Sequence, residues 1–158
     1  MRIVGFDVGE RRIGVAISDV SGTLARPVGR LCPVDLLSDA PRLAAEEIAR
    51  LASEEEAEGR GVSAIVVGLP RHLDGTPNRM TARVLAFATE LGRLTGLPVT
   101  MQDERLTSHE AESRLATTEK DWRVRKKQLD QVAASIILQD YLDVRPRRLA
   151  TLVTDPGL

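Results

Sequence analysis

The chain has 158 residues, of which 42% are hydrophobic and 28% charged, the balance of a globular domain with its own core. Twenty-two Lys and Arg stand against 23 Asp and Glu, which argues against a protein held to nucleic acid by bulk charge alone. No apolar run approaches the roughly 20 residues that span a bilayer, and Cys32 is the single cysteine, so no intramolecular disulfide forms. These features suit a reducing compartment, and the expected location is the cytoplasm.

The first two elements are short Val/Ile-rich runs, residues 2–8 (RIVGFDV) and 12–18 (RIGVAIS). Gly9-Glu10-Arg11 between them reads as a tight hairpin turn. A third strand is expected over residues 24–31, after the turn at Ser21-Gly22, and Pro27 assigns it to a sheet edge. Short turns make these three strands antiparallel. The period then becomes helical over residues 41–58, with Leu43, Ala44, Ile48, Leu51 and Ala52 on one face. "VSAIVVGLP" follows as a strand buried on both faces. A second helix is expected over residues 78–95, closed by Gly96, and "LPVTMQDE" is a fifth strand. Thr107-Ser108-His109-Glu110 has the spacing of a capping box that opens a short helix. The polar, basic stretch "TTEKDWRVRKKQ" leads into a final helix, "LDQVAASIILQDYL", with an apolar stripe expected at Leu129, Val132, Ala133, Ile136 and Leu138 or Tyr141. The domain is expected to end at residue 143, with 144–158 a loosely held tail. An antiparallel start feeding right-handed crossovers gives an α/β fold: a mixed five-stranded sheet of order 3-2-1-4-5 with helices on both faces.

Three acids stand out on this scaffold. Asp7 interrupts an apolar central strand near its C-terminal end, where an unpaired carboxylate is costly. Along the pleat it shares a face with Ile3 and Gly5, while Val4, Phe6 and Val8 share the other; Gly5 is expected to leave open space beside it. Glu104 follows the fifth strand, on the same rim, where ligands of open α/β sheets gather. Asp130 precedes Ala133 and Ala134, small residues that let the last helix approach the sheet. For each acid there is a plainer reading: a strand end turned to solvent, a helix N-terminus, an exposed helix face. Three converging carboxylates need a counter-charge, because two like charges about 4 Å apart repel by roughly 4 kcal/mol at an effective dielectric of 20. Mg²⁺ or Mn²⁺ suits oxygen donors, whereas zinc lacks a Cys/His cluster. Two such ions about 3.5–4 Å apart would activate water for phosphodiester hydrolysis and steady the leaving oxygen. In that arrangement Asp7 bridges both ions, and Glu104 and Asp130 each complete one. The order 3-2-1-4-5 sets the fourth strand between Asp7 and Glu104, a span of about 10 Å. That strand ends in Gly68-Leu69-Pro70, offers no acid, and its bare end would leave room for a substrate backbone.

Four blocks in order, "GFDVGERRIGVAISD", "VVGLPRHLDGT", "QDERLTS" and "KKQLDQVAASIILQDYL", resemble the signatures of the YqgF (RuvX-like) family of bacterial proteins over residues 1–143. The resemblance implies an RNase H-like fold and a nuclease, described in that family as maturing small-subunit ribosomal RNA or resolving Holliday junctions. It also implies that Asp7, Glu104 and Asp130 are the metal-binding acids. Structured RNA is the preferred substrate and a four-way DNA junction the alternative; the chain would be a monomer or a homodimer, with no membrane partner. Basic side chains that would ring the rim and grip phosphates are Arg11, Arg12, Arg71, Arg105 and Lys126, with His72, Arg79, Arg83, Arg123, Arg125 and Lys127 near them; each is equally readable as solvated surface charge. Trp122 offers either a stacking platform or packing beneath a loop. Two other classes remain. One is an ATP-dependent phosphotransferase of the actin and sugar-kinase type, which shares an Asp-x-Gly hairpin but needs two lobes. The other is a non-catalytic ribosome-associated module.

Overall fold

The computed structural model describes residues 1–35, 38–54, 61–104 and 132–144. Its strands are β1 (Arg2–Val8), β2 (Ile13–Ser18), β3 (Ala25–Leu31), β4 (Val62–Leu69) and β5 (Val99–Asp103); the helices are α1 (Ala40–Glu54), α2 (Thr81–Thr95) and α3, described over residues 132–144. The sheet order is β3-β2-β1-β4-β5, the mixed arrangement expected of an RNase H-like fold. β1 pairs antiparallel with β2 and parallel with β4, so the strand carrying Asp7 is central. β3 lies at one edge, as Pro27 requires, and a bulge interrupts its pairing next to that proline.

The pleat of β1 divides the core in two. Val4, Phe6 and Val8 face α1 and α2, packing with Ala44, Ile48, Leu51, Val84, Phe87 and Leu91. Phe6 and Phe87 meet edge-to-face at 6.0 Å, a favoured aromatic geometry. Ile3 faces the other way, with Ala16 and Val66, and is covered by Ala134, Ile137, Leu138 and Leu142 of α3. Helices therefore cover both faces. The sheet-facing stripe of α3 runs through Ala134, Ile137, Leu138 and Leu142, with Tyr141 packed against it; of the other expected positions Ala133 and Ile136 are buried and Val132 is half-buried. "VAASIIL" is apolar at every position but Ser135, so helical period alone could not choose its face.

Other boundaries also shift. α2 begins at Thr81 instead of 78, because the Asn78 side-chain oxygen accepts the backbone N–H groups of Met80 (2.9 Å) and Thr81 (3.1 Å). That local turn competes with a helical start. At its other end α2 closes on Gly96, whose φ of 70° is left-handed and whose N–H bonds Gly92 O. Helix α3 continues through residue 144. The expected capping box at Thr107–Glu110, the basic stretch with Trp122, and residues 145–158 lie outside the described residues.

Candidate active site

Asp7 is the second-last residue of β1, half-buried, on the face that α3 covers. Its cross-strand neighbour on β2 is Gly14. On β4 the parallel register runs Gly5 with Val66 and Phe6 with Val67, so the next step sets Gly68 beside Asp7. Both lateral neighbours of the acid thus lack side chains. Open space does not follow beside Gly5. A Cβ built there would lie 2.9 Å from Leu138 Cβ, so α3 sits directly on that glycine and fills the gap that a bare strand leaves.

Glu104 follows β5, its N–H donating to Leu69 O at 3.3 Å. Gln102, which pairs with Gly68, and Glu104 point to the same face as Asp7. The span across β4 is closed by the Glu104 side chain itself. It lies over Gly68, where a Cβ would stand 2.6 Å from Glu104 Oε2 and 2.6 Å from Ile137 Cδ1. The bare end of β4 accordingly holds Glu104, and is not room left for a substrate backbone. The carboxyl meets Asp7 in a hydrogen bond. Burial, then the Asp7 charge and that hydrogen bond, and lastly the Asp103 charge, push Glu104 up to about 9. Two carboxyls in hydrogen-bond contact disfavour each other's ionisation, which a cation between them would relieve.

That donor set fits a hard divalent cation: oxygen atoms only, paired and half-buried. Among the described residues no group of three or more His, Cys, Asp and Glu is assembled. The pair is Asp7 with Glu104, and Asp130 lies outside the described residues. His72 is exposed in the loop after β4, and Cys32 is exposed and unpaired by a disulfide.

The predicted basic residues divide. Arg11 is exposed and Arg12 half-buried in the hairpin loop, which is closed by Gly9 N–H donating to Arg12 O at 2.8 Å. Arg71 follows β4, where its Nε is buried with no hydrogen-bond partner among the described residues. Arg105 and Lys126 lie outside the described residues. Arg79 instead makes an ion pair with Glu10, docking the loop 70–80 against the hairpin tip. A cleft of about 610 Å³ opens there, lined by Gly9, Glu10, His72, Asn78, Arg79 and Met80. Neither this ion pair nor the role of Gly68 was visible in composition or period. The strand register, once drawn, would have shown a glycine standing between two acids.

Fold and site together define a mixed α/β protein with a carboxylate-bearing rim at the carboxyl ends of its central strands. Residues 1–144 match the family model described as "RuvX: Holliday junction resolvase", and the chain belongs to that nuclease family. A Chloroflexus aggregans protein named "Putative pre-16S rRNA nuclease" is 46% identical over 143 residues, covering 90% of this chain and 94% of its own. A relative of the same name from Lactobacillus delbrueckii subsp. bulgaricus is 40% identical over 148 residues, covering 92% and 98%. Among solved structures, the fowlpox virus Holliday junction resolvase aligns with a TM-score of 0.49 at 15% identity, covering 90% of this chain and 99% of its own. T. thermophilus RuvC in complex with Holliday junction substrate aligns at 0.44 and 17%, covering 92% and 95%. Similarity at that level adds nothing to the strand order itself.

Proposed function

We propose that the chain is a divalent-cation-dependent nuclease that hydrolyses phosphodiester bonds in structured RNA, acting in 5′-end maturation of precursor 16S ribosomal RNA in the cytoplasm. The observation that carries this reading is the meeting of Asp7 and Glu104 over Gly68. A single carboxylate would be a structural oddity; two carboxyls in contact at the sheet rim suit a divalent cation. Asp7 and Glu104 would hold Mg²⁺ or Mn²⁺, with Asp130 as the third acid. When bound, two such ions supply an activated water and charge stabilisation for the departing oxygen.

The protein groups do the remaining work. Asp7 on β1 and Glu104 just beyond β5 would present carboxylate oxygens to the ion from the two sides of β4. Arg71, Arg11, Arg12, Arg105 and Lys126 would hold the substrate's phosphate backbone. The names carried by the relatives favour RNA. The family description favours a second reading, resolution of four-way DNA, for which a homodimer would supply two cuts; a single cut in RNA needs only a monomer.

One purified preparation should be offered precursor 16S rRNA, single-stranded DNA and four-way junctions, in Mg²⁺ and in Mn²⁺. Cleavage of the RNA that stops with EDTA and with Asp7→Asn is the expected result. Cleavage that survives Asp7→Asn overturns the assignment. Cutting confined to junctions moves the substrate to DNA. ATP binding without any cleavage points to the phosphotransferase class instead.

A further inference from the structure

We propose that Gly68 is a positioning residue for the acid pair: its bare Cα is the passage through which the Glu104 side chain crosses β4 to meet Asp7. This rests on the nuclease reading and extends it to a residue with no chemistry of its own. The sheet order sets β4 between the two acids, and adjacent strands lie about 4.8 Å apart. Any side chain at position 68 would therefore stand in the line that joins them. The structure gives the clash directly: a Cβ would be 2.6 Å from Glu104 Oε2, 3.1 Å from Glu104 Cδ and 2.6 Å from Ile137 Cδ1. Real Cβ atoms do not approach so closely, so Glu104 or Ile137 must move. Left-handed backbone is not the reason for glycine here, because Gly68 is absent from the positive-φ positions. The requirement is space, and two neighbours share it: the carboxylate from β5 and a methyl from α3.

That sharing makes the claim separable from packing. Ile137→Val removes Cδ1 and with it the apolar half of the clash. In Gly68→Ala/Ile137→Val the new methyl meets only Glu104. We expect Gly68→Ala alone to lower Tm and Mn²⁺ affinity together. Adding Ile137→Val should restore most of the Tm while Mn²⁺ affinity, followed by calorimetric titration, stays about tenfold or more below wild type, in the range set by supports of metal ligands. Cleavage should fall in kcat with KM nearly unchanged. A cycle in the Glu104→Ala background makes the test independent of folding penalties, since both obstacles to the methyl are then absent. There, Gly68→Ala/Ile137→Val should cost no further Mn²⁺ affinity. Wild-type Mn²⁺ affinity and cleavage in Gly68→Ala/Ile137→Val overturns the inference alone, as does an equal loss in the presence and absence of the Glu104 carboxylate. A wild type that neither binds Mn²⁺ nor cleaves overturns the nuclease reading and this inference with it.

Discussion

Glu104 is a half-buried acid whose pKa is pushed up to about 9, first by desolvation and then by Asp7. In the unfolded chain it titrates near the ordinary carboxylate value, about 4.3. Between those two values the folded state holds a proton that the unfolded state has released. Folding stability must then decline as pH rises through that window. Without divalent cations, Tm is expected to fall from about pH 5 to pH 9. Glu104→Gln keeps a hydrogen-bond partner for Asp7 and removes the ionisation, so it should flatten the profile and raise Tm at pH 8, by about 2–4 °C for each kcal/mol recovered; thermal melts across pH check this. Mn²⁺ should reverse the wild-type slope, because the ion replaces the proton. At this scale the sequence was largely readable. An acid in an apolar strand and a second beyond a parallel strand end mark themselves by their cost and place. What could not be read was their contact, which depends on atoms that Gly68 does not have.

Among the elements, α3 is the closest-fitting. Leu138 lies over Gly5 so tightly that a Cβ there would be 2.9 Å from Leu138 Cβ, an atom fixed to the helix backbone and unable to swing aside. Gly5→Ala should therefore lift α3 from the sheet and destabilise the fold by about 1–3 kcal/mol, the usual cost of overpacking. Leu138→Ala tests the same seam from the other side. Leu138 is fully buried, so its truncation should cost about 2–5 kcal/mol. Chemical denaturation measures both. The elements themselves were legible from period and turn residues: the hairpin, the Pro27 edge strand, the apolar β4 and the Gly96 stop all stand where expected. Two features were not. The start of α2 is decided by one Asn78 side chain that outcompetes the helix, and the facing of α3 is undetermined by a segment apolar at every position but Ser135.

Across the whole molecule, near-neutral charge shapes how a polyanion can be gripped. A protein that neutralised many phosphates with Lys and Arg would bind with a steep salt dependence, roughly 0.7–0.9 per phosphate in log–log slope. Here a shallow slope is expected, with binding dependent on the divalent ion. Chelation by EDTA should weaken RNA binding more than raising salt from 50 to 200 mM, by filter or fluorescence titration. The strand order followed from chain order and the rule for right-handed crossovers, so the sheet was legible before any site was. A final consequence lies in Gln139. Its carboxamide accepts the Ala25 N–H at 2.9 Å and donates to Thr23 O at 2.9 Å, serving the entry to β3 as a peptide group would. Those bonds join residues 114 and 116 positions apart. The strand bearing Ile3, Gly5 and Asp7 leaves the ribosome early, yet the helix over it is made more than a hundred residues later. During synthesis that face has to wait uncovered, and a truncated chain that stops short of α3 would carry Asp7 without the clasp that finishes its surroundings.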